Sequence, residues 1–270
     1  MSRLTYVAFL LGMCIAPVSV AQEASAAVRS ELSPGGSLRV GLNLTNTATV
    51  TKDPTTGELR GVAVELSRAL AQSLGAKFEP VLYPTSGKLA EGARAGQWDI
   101  AFLAIDPARS QDIAFAPAYM EVHNSYMVPP GSAIQKNADV DQPGIRVAVH
   151  ERNATDLFLS RNLRYATLVR VGSESAALDA LRTGQADVLA TGRGLLLEHA
   201  SRWPDARVLD GWFRAVGHGI GVPATRESGH KYLRDFVEQA KRSGRVQQML
   251  DRQAVLGVVV APAAPAIGSQ

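Results

Sequence analysis

The chain has 270 residues, 46% of them hydrophobic and 20% charged, which is ordinary globular material and long enough for two domains of about 100 residues each. The composition excludes disordered and fibrous classes. A formal charge of +3 and a pI near 9.1 come without a run of Lys and Arg long enough to form a basic stripe, so no nucleic-acid partner is expected.

The first 21 residues, MSRLTYVAFLLGMCIAPVSVA, place Arg3 near the start, then an uncharged apolar stretch, then Ser19-Val20-Ala21 with small residues where a signal peptidase needs them. This predicts an exported protein cleaved after Ala21. A membrane anchor fits less well, because Pro17 interrupts a stretch already short for a bilayer span of about 20 residues. The only cysteine, Cys14, lies inside this segment, so the mature chain can form no intramolecular disulfide and needs a real core. Lipid attachment at Cys14 is disfavoured by Met13 directly before it.

A polar leader over 22–36 ends at Gly35-Gly36, and LRVGL at 38–42 reads as a strand. After a polar loop, Val62, Leu66, Leu70 and Leu74 recur every four residues with Gly75 as a stop, predicting a helix that buries one face. FEPVLY is a strand, KLAEGARAG a short helix, and WDIAFLA a strand apolar enough to be buried on both faces. The pattern repeats after residue 144. IRVAV, TLVRV and ADVLA are strands, and ATDLFLSRNL and SESAALDALRTG are the helices between them, so the strands pair in parallel. After the glycine-spaced GHGIGV at 217–222, a long helix over 227–242 and a shorter one with Val246, Met249 and Leu250 follow. The Ala/Pro-rich end, 255–270, reads as a flexible tail, with a late strand at 255–260 as the alternative.

The segments LRVGLN, GELRGVAVELSRALAQSLGAKFEPV, GQWDIAFLAIDPARSQDIAFAPAY, GIRVAVHERNATDLFL, GQADVLATG and KYLRDFVEQAKRSGRVQQML occur in an order that resembles the solute-binding proteins of ABC importers, in the family that takes up polar amino acids. The resemblance spans about residues 37–252. It implies an α/β fold of two Rossmann-like lobes joined by a two-crossing hinge, the type II periplasmic binding protein fold. Lobe 1 comprises 37–126 and the return segment 217–254, and lobe 2 comprises 127–216. It further implies a monomer in the periplasm that holds a small carboxylate-bearing solute in the cleft and hands it to an ABC permease in the inner membrane. Open α/β sheets bind ligands at such C-terminal strand edges, and closure of the lobes traps them.

Arg109 occupies the position whose arginine binds the solute carboxylate in this family, a task suited to a planar, permanently charged guanidinium. The competing reading is a surface arginine on the turn after Pro107. The second anchor is the loop Arg152-Asn153-Ala154, where Asn153 can cap the helix and free N–H groups favour an anion, the competing reading being a cap with no ligand. Two departures from the family pattern bear on the solute. Ala104 stands where a Ser or Thr is usual, and Gly192 where an aspartate receives an amino acid's ammonium. Without that aspartate a plain α-amino acid is doubtful. With Arg193 next in sequence, a second cleft cation and an organic-acid solute are expected if that side chain turns inward. Glu151 is the alternative source of negative charge. Asn43 and Asn46 either line the side-chain pocket or hold turns of their loop.

His123, His150, His199 and His218 have no metal-site spacing, and neither HExxH nor CxxC occurs, so neither metal nor cofactor is expected. No catalytic residues are assigned. An enzymatic alternative on the same fold, a cyclohexadienyl dehydratase, needs a cleft acid with a raised pKa, for which Glu151 and Asp106 are the candidates. A ligand-sensing module for a membrane receptor is the third reading.

Overall fold

Residues 24–254 and 256–264 are described by the computed structural model of the protein. The export segment, with Cys14 and the cleavage position after Ala21, lies outside the described residues. The chain runs through α1 (Ala26–Leu32), β1 (Ser37–Asn43), the hairpin β2 (Thr51–Lys52) and β3 (Leu59–Arg60), α2 (Val62–Leu74), β4 (Lys77–Tyr83), α3 (Ser86–Glu91), β5 (Ile100–Ala104), β6 (Ile113–Phe115) and β7 (Met120–Val128). It continues through β8 (Arg146–His150), α4 (Ala154–Asn162), β9 (Thr167–Val171), α5 (Glu174–Arg182), β10 (Val188–Gly192), α6 (Arg193–Ser201) and β11 (Arg207–Val208). It closes with β12 (Arg214–Pro223), α7 (Glu227–Arg242), α8 (Arg245–Gln253) and β13 (Val258–Val260).

The period-four apolar positions of α2 are all buried, and the helix ends where Gly75 adopts the left-handed φ of 65° that a side chain resists. It starts at Gly61, where φ is 132° and an added Cβ would lie 2.2 Å from the Thr49 carbonyl oxygen, so only glycine fits. All five residues of β5 are buried, as its unbroken apolar run requires.

The strand order is β4-β1-β5-β12-β7-β10-β8-β9. β4, β1 and β5 are parallel, and so are β9, β8 and β10, giving one sheet per lobe with its own apolar clusters. The same buttress recurs in both. Arg39 on β1 grips Asp99, just before β5, through its backbone N–H and a guanidinium fork, and Arg146 on β8 grips Asp187, just before β10, in the same way. Both aspartates close a Gly-Gln-x-Asp stretch, so the sequence repeat corresponds to a structural one.

The lobes are joined by two continuous antiparallel strands. β7 pairs with β12 through Met120–Asn124 and with β10 through Asn124–Met127, while β12 pairs with β7 through Arg214–His218 and with β5 through His218–Gly221. The crossings expected near 126 and 216 therefore fall inside strands, and this is the type II periplasmic binding protein architecture.

The two ends of the described chain go beyond the main sequence reading. The polar leader contains α1, whose Val28 and Leu32 are buried against the first-lobe core and whose N-terminus is capped by Ser25. At the C-terminal end the alternative of a late strand is the one found, because Val258, Val259 and Val260 find a free edge of β7 opposite Met120–Val122 and pair with it as β13. Among the described residues, no helix is long and apolar enough to cross a membrane.

Candidate ligand-binding cleft

A cavity of about 520 Å³ lies between the lobes, lined by the loop after β1, the end of β5, the hinge strands, the start of α4, and α6. Arg109 reaches it from the turn after β5. Asp106 builds that turn: its Oδ1 accepts the Ala108 N–H at 2.9 Å, and its carbonyl accepts the N–H groups of Arg109 and Ser110. The guanidinium folds back to donate from Nη1 to the Ala104 carbonyl at 2.9 Å and from Nη2 to the Arg152 carbonyl, across the cleft, at 3.3 Å. Arg109 is 6% exposed, and both of these acceptors are neutral. Burial, with Arg152 and Arg214 nearby and Asp106 opposing, pushes its pKa down to about 10, so it stays charged at neutral pH. A buried cation whose hydrogen-bond partners are carbonyls carries a desolvation cost that Asp106 offsets only in part, and an incoming anion offsets more of it.

The facing wall is the start of α4. Asn153 caps it, accepting the Asp156 N–H on Oδ1 at 2.8 Å and donating from Nδ2 to Glu174 Oε1 at 3.0 Å. This leaves the first-turn N–H groups of Ala154 and Thr155 at the cavity wall without intrahelical acceptors. Arg152 contributes a carbonyl rather than a cation. It sits at φ 57°, its N–H is held by Asp156 at 2.7 Å, and its exposed guanidinium pairs with Glu91 of the first lobe at 2.6 Å.

Arg109, Asn43, Asn46, Ala104, Asn153, Ala154 and Gly192 all line the cavity, while Arg152 meets it only through that carbonyl. Asn43 also does the work of a turn: its Oδ1 accepts from the backbone and hydroxyl of Thr45. Asn46 holds its loop through its backbone carbonyl. Arg193 does not line the cavity. Its Nη1 donates to the carbonyls of Leu209 at 2.7 Å and Gly211 at 3.0 Å, so the second cleft cation, expected only if that side chain turned inward, is not found there. Glu151 is exposed and outside the lining. Asp106 is fully buried, and the Arg161 guanidinium, with the Ala108 N–H, holds its carboxyl below the usual range despite burial, the opposite of what a general acid needs.

Among the lining residues that escaped the sequence reading are His150, Glu174 and His218. Each has a buried polar atom without a hydrogen-bond partner among the described residues: His150 Nε2, Glu174 Oε2 and His218 Nδ1. His150 Nδ1 lies 3.6 Å from Glu174 Oε1, and Glu174 raises its pKa. Burial, aided by Arg109 and Arg214, pushes His218 down to about 3, so it is neutral. The signal for Glu174 was its place at the first position of a helix after a strand of the parallel sheet, the edge at which such sheets bind ligands.

The model of the bacterial extracellular solute-binding proteins, family 3, matches residues 38–253. The ABC transporter glutamine-binding protein GlnH of Bacillus subtilis is 22% identical over 205 residues, 73% of this chain and 74% of its own length. A variant of ArgBP from T. maritima superposes with a TM-score of 0.71 at 21% identity, covering 84% of this chain and 99% of that one. An ancestral amino acid-binding protein, described as a precursor of cyclohexadienyl dehydratase, does so with a TM-score of 0.69 at 23% identity, covering 81% and 95%. A match across four-fifths of the sequence, on a two-lobed fold with a lined interlobe cleft, makes this chain a member of the bacterial extracellular solute-binding proteins, family 3.

Proposed function

We propose that the chain is the periplasmic capture component of an ABC importer for an amino acid or closely related carboxylate, exported by its N-terminal segment and delivering its solute to a membrane permease. The observation that carries this reading is Arg109: a buried guanidinium facing an interlobe cavity, with neutral carbonyls as its hydrogen-bond partners and the first-turn N–H groups of α4 opposite. Such a pair of anchors suits one carboxylate held between lobes, and capturing it favours closure.

A thermal-shift screen of the chain from residue 22 against amino acids and dicarboxylates tests it. At least one carboxylate is expected to raise Tm, by the linkage that any ligand specific to the folded state shows, without being consumed, and Arg109→Ala is expected to remove the shift. Depletion of prephenate or arogenate by the wild type would instead support a dehydratase. That alternative has lost both of its sequence candidates, since Glu151 stands outside the cleft lining and Asp106 is held ionised.

A further inference from the structure

We infer that Glu174 is the residue that selects the solute, by receiving a protonated amine beside the carboxylate site at Arg109. The inference rests on the reading of Arg109 as the carboxylate site and adds a second charge requirement to it.

The negative charge of the cavity resides on two side chains. Arg109 is the cationic Lys or Arg side chain in its lining, and the acidic ones are Glu174 and Glu198. Glu198 is exposed and already answered by Arg202 at 3.1 Å. Glu174 is answered only in part. Its Oε1 accepts from Asn153 and faces His150, whereas its Oε2 is shielded from solvent and has no hydrogen-bond partner among the described residues. A carboxylate oxygen in that state costs free energy until a donor reaches it.

Position follows from the chain. Arg109 touches the carbonyl of Arg152, and Glu174 touches the side chain of the next residue, Asn153. One peptide step therefore separates the groups that hold the cation from those that hold the anion, with the N-terminus of α4 between them. A small molecule carrying a carboxylate and an amine a few bonds apart spans that arrangement. A dicarboxylate of similar length would set its second negative charge against Glu174. Asn153 fixes one oxygen of Glu174 and so leaves the other in a defined direction. Gly192, also in the lining, contributes no charge, which leaves Glu174 as the acidic group available to an amine.

The test compares L-glutamine, L-lysine and L-arginine with their counterparts lacking the α-amino group, by titration calorimetry on the wild type, Glu174→Gln and Arg109→Ala. Gln at 174 keeps an acceptor for Asn153. In the wild type, the best-bound amino acid is expected to exceed its deaminated partner by about tenfold or more, as for loss of a charge-assisted hydrogen bond. In Glu174→Gln the ratio is expected to collapse towards one. An equal ratio in wild type and Glu174→Gln overturns the inference while leaving the Arg109 reading intact. A deaminated partner that binds wild type as well as its amino acid does so without any variant. If Glu174→Gln does not fold, Glu174→Asp replaces it: a fall in the ratio, as the shorter side chain withdraws its charge from the cavity, supports the inference, and an unchanged ratio overturns it. Retained binding by Arg109→Ala together with a collapsed ratio in Glu174→Gln overturns the carboxylate reading alone. Failure of all six probes on the wild type overturns both.

Discussion

The lobes meet across the cleft through an ion pair that should appear in ligand affinity. Arg161, on α4 of the second lobe, donates to Asp106 of the first at 2.7 Å from Nη2 and 3.2 Å from Nη1. Asp106 is fully buried and Arg161 is partly exposed, so the pair lies between an exposed pair, worth up to about 1 kcal/mol, and a buried one, where losing a partner costs about 3–5 kcal/mol. A loss of about 1–2 kcal/mol is the reasonable magnitude for Arg161→Met, which keeps an apolar stem and removes the charge. Because the pair forms only when the lobes touch, this loss is borne by the closed form, and ligand affinity should fall by about 5- to 30-fold. The unfolding midpoint of the unliganded protein should move little. Titration calorimetry gives the affinity. An unchanged affinity with a lowered melting temperature would refute the reasoning, because the pair would then be supporting folding rather than closure. The second bridge, Arg152–Glu91, is exposed on both sides and should be screened by added salt.

Three further outcomes follow from particular contacts. Gly192 has ordinary extended backbone, and an added Cβ would lie 3.2 Å from Val122 Cγ1, so Gly192→Asp should fold with a penalty of about 1 kcal/mol and weaken binding of any dicarboxylate, read by calorimetry. His218 titrates near 3 when folded against 6.5 for the free group, so the unfolded chain takes up the extra proton. Its contribution is intact above about pH 6.5 and lost as pH falls below it, by up to about 1.4 kcal/mol per pH unit. His199 acts in the same direction and His150, raised by Glu174, in the opposite one. Denaturant melts of His218→Gln between pH 4 and 6.5 should therefore show a flatter stability profile than wild type, and an identical slope would exclude His218 as the cause. Ending the chain at Ala254 removes β13 together with Leu256 and Val258 of the cavity lining. It should lower Tm by a few degrees, about what a loss near 1 kcal/mol gives in a chain this size, and reduce the ligand-induced shift.

What was legible in the sequence was whatever rests on local pattern. The buried run Ile100–Ala104, the turn through Asp106 and Pro107, and the cap at Asn153 each announce their backbone by residue type, and the two Gly-Gln-x-Asp stretches mark equivalent strands in both lobes. The direction of long side chains was not legible, because it depends on distant acceptors. Arg193 follows the carbonyls of Leu209 and Gly211, sixteen and eighteen residues ahead, and Arg152 follows Glu91 from the other lobe. Glu174 looked like an ordinary first-turn acid on α5 until Asn153 and His150 were seen against it. The valines of β13 left a tail and a late strand both open, because the strand edge that receives them is more than 130 residues earlier. α6, with one fully buried residue, Leu196, offered too weak a periodicity to be seen.

Calorimetric titration of wild type and Arg109→Met with the best-bound amino acid decides whether Arg109 holds the carboxylate of the solute. Two charge-assisted hydrogen bonds are lost in the variant, so affinity should drop by about 10²-fold or more. The unliganded Tm should hold or rise, since a buried cation without an anionic partner is replaced by an apolar side chain. Wild-type affinity in Arg109→Met would mean that the carboxylate is held elsewhere.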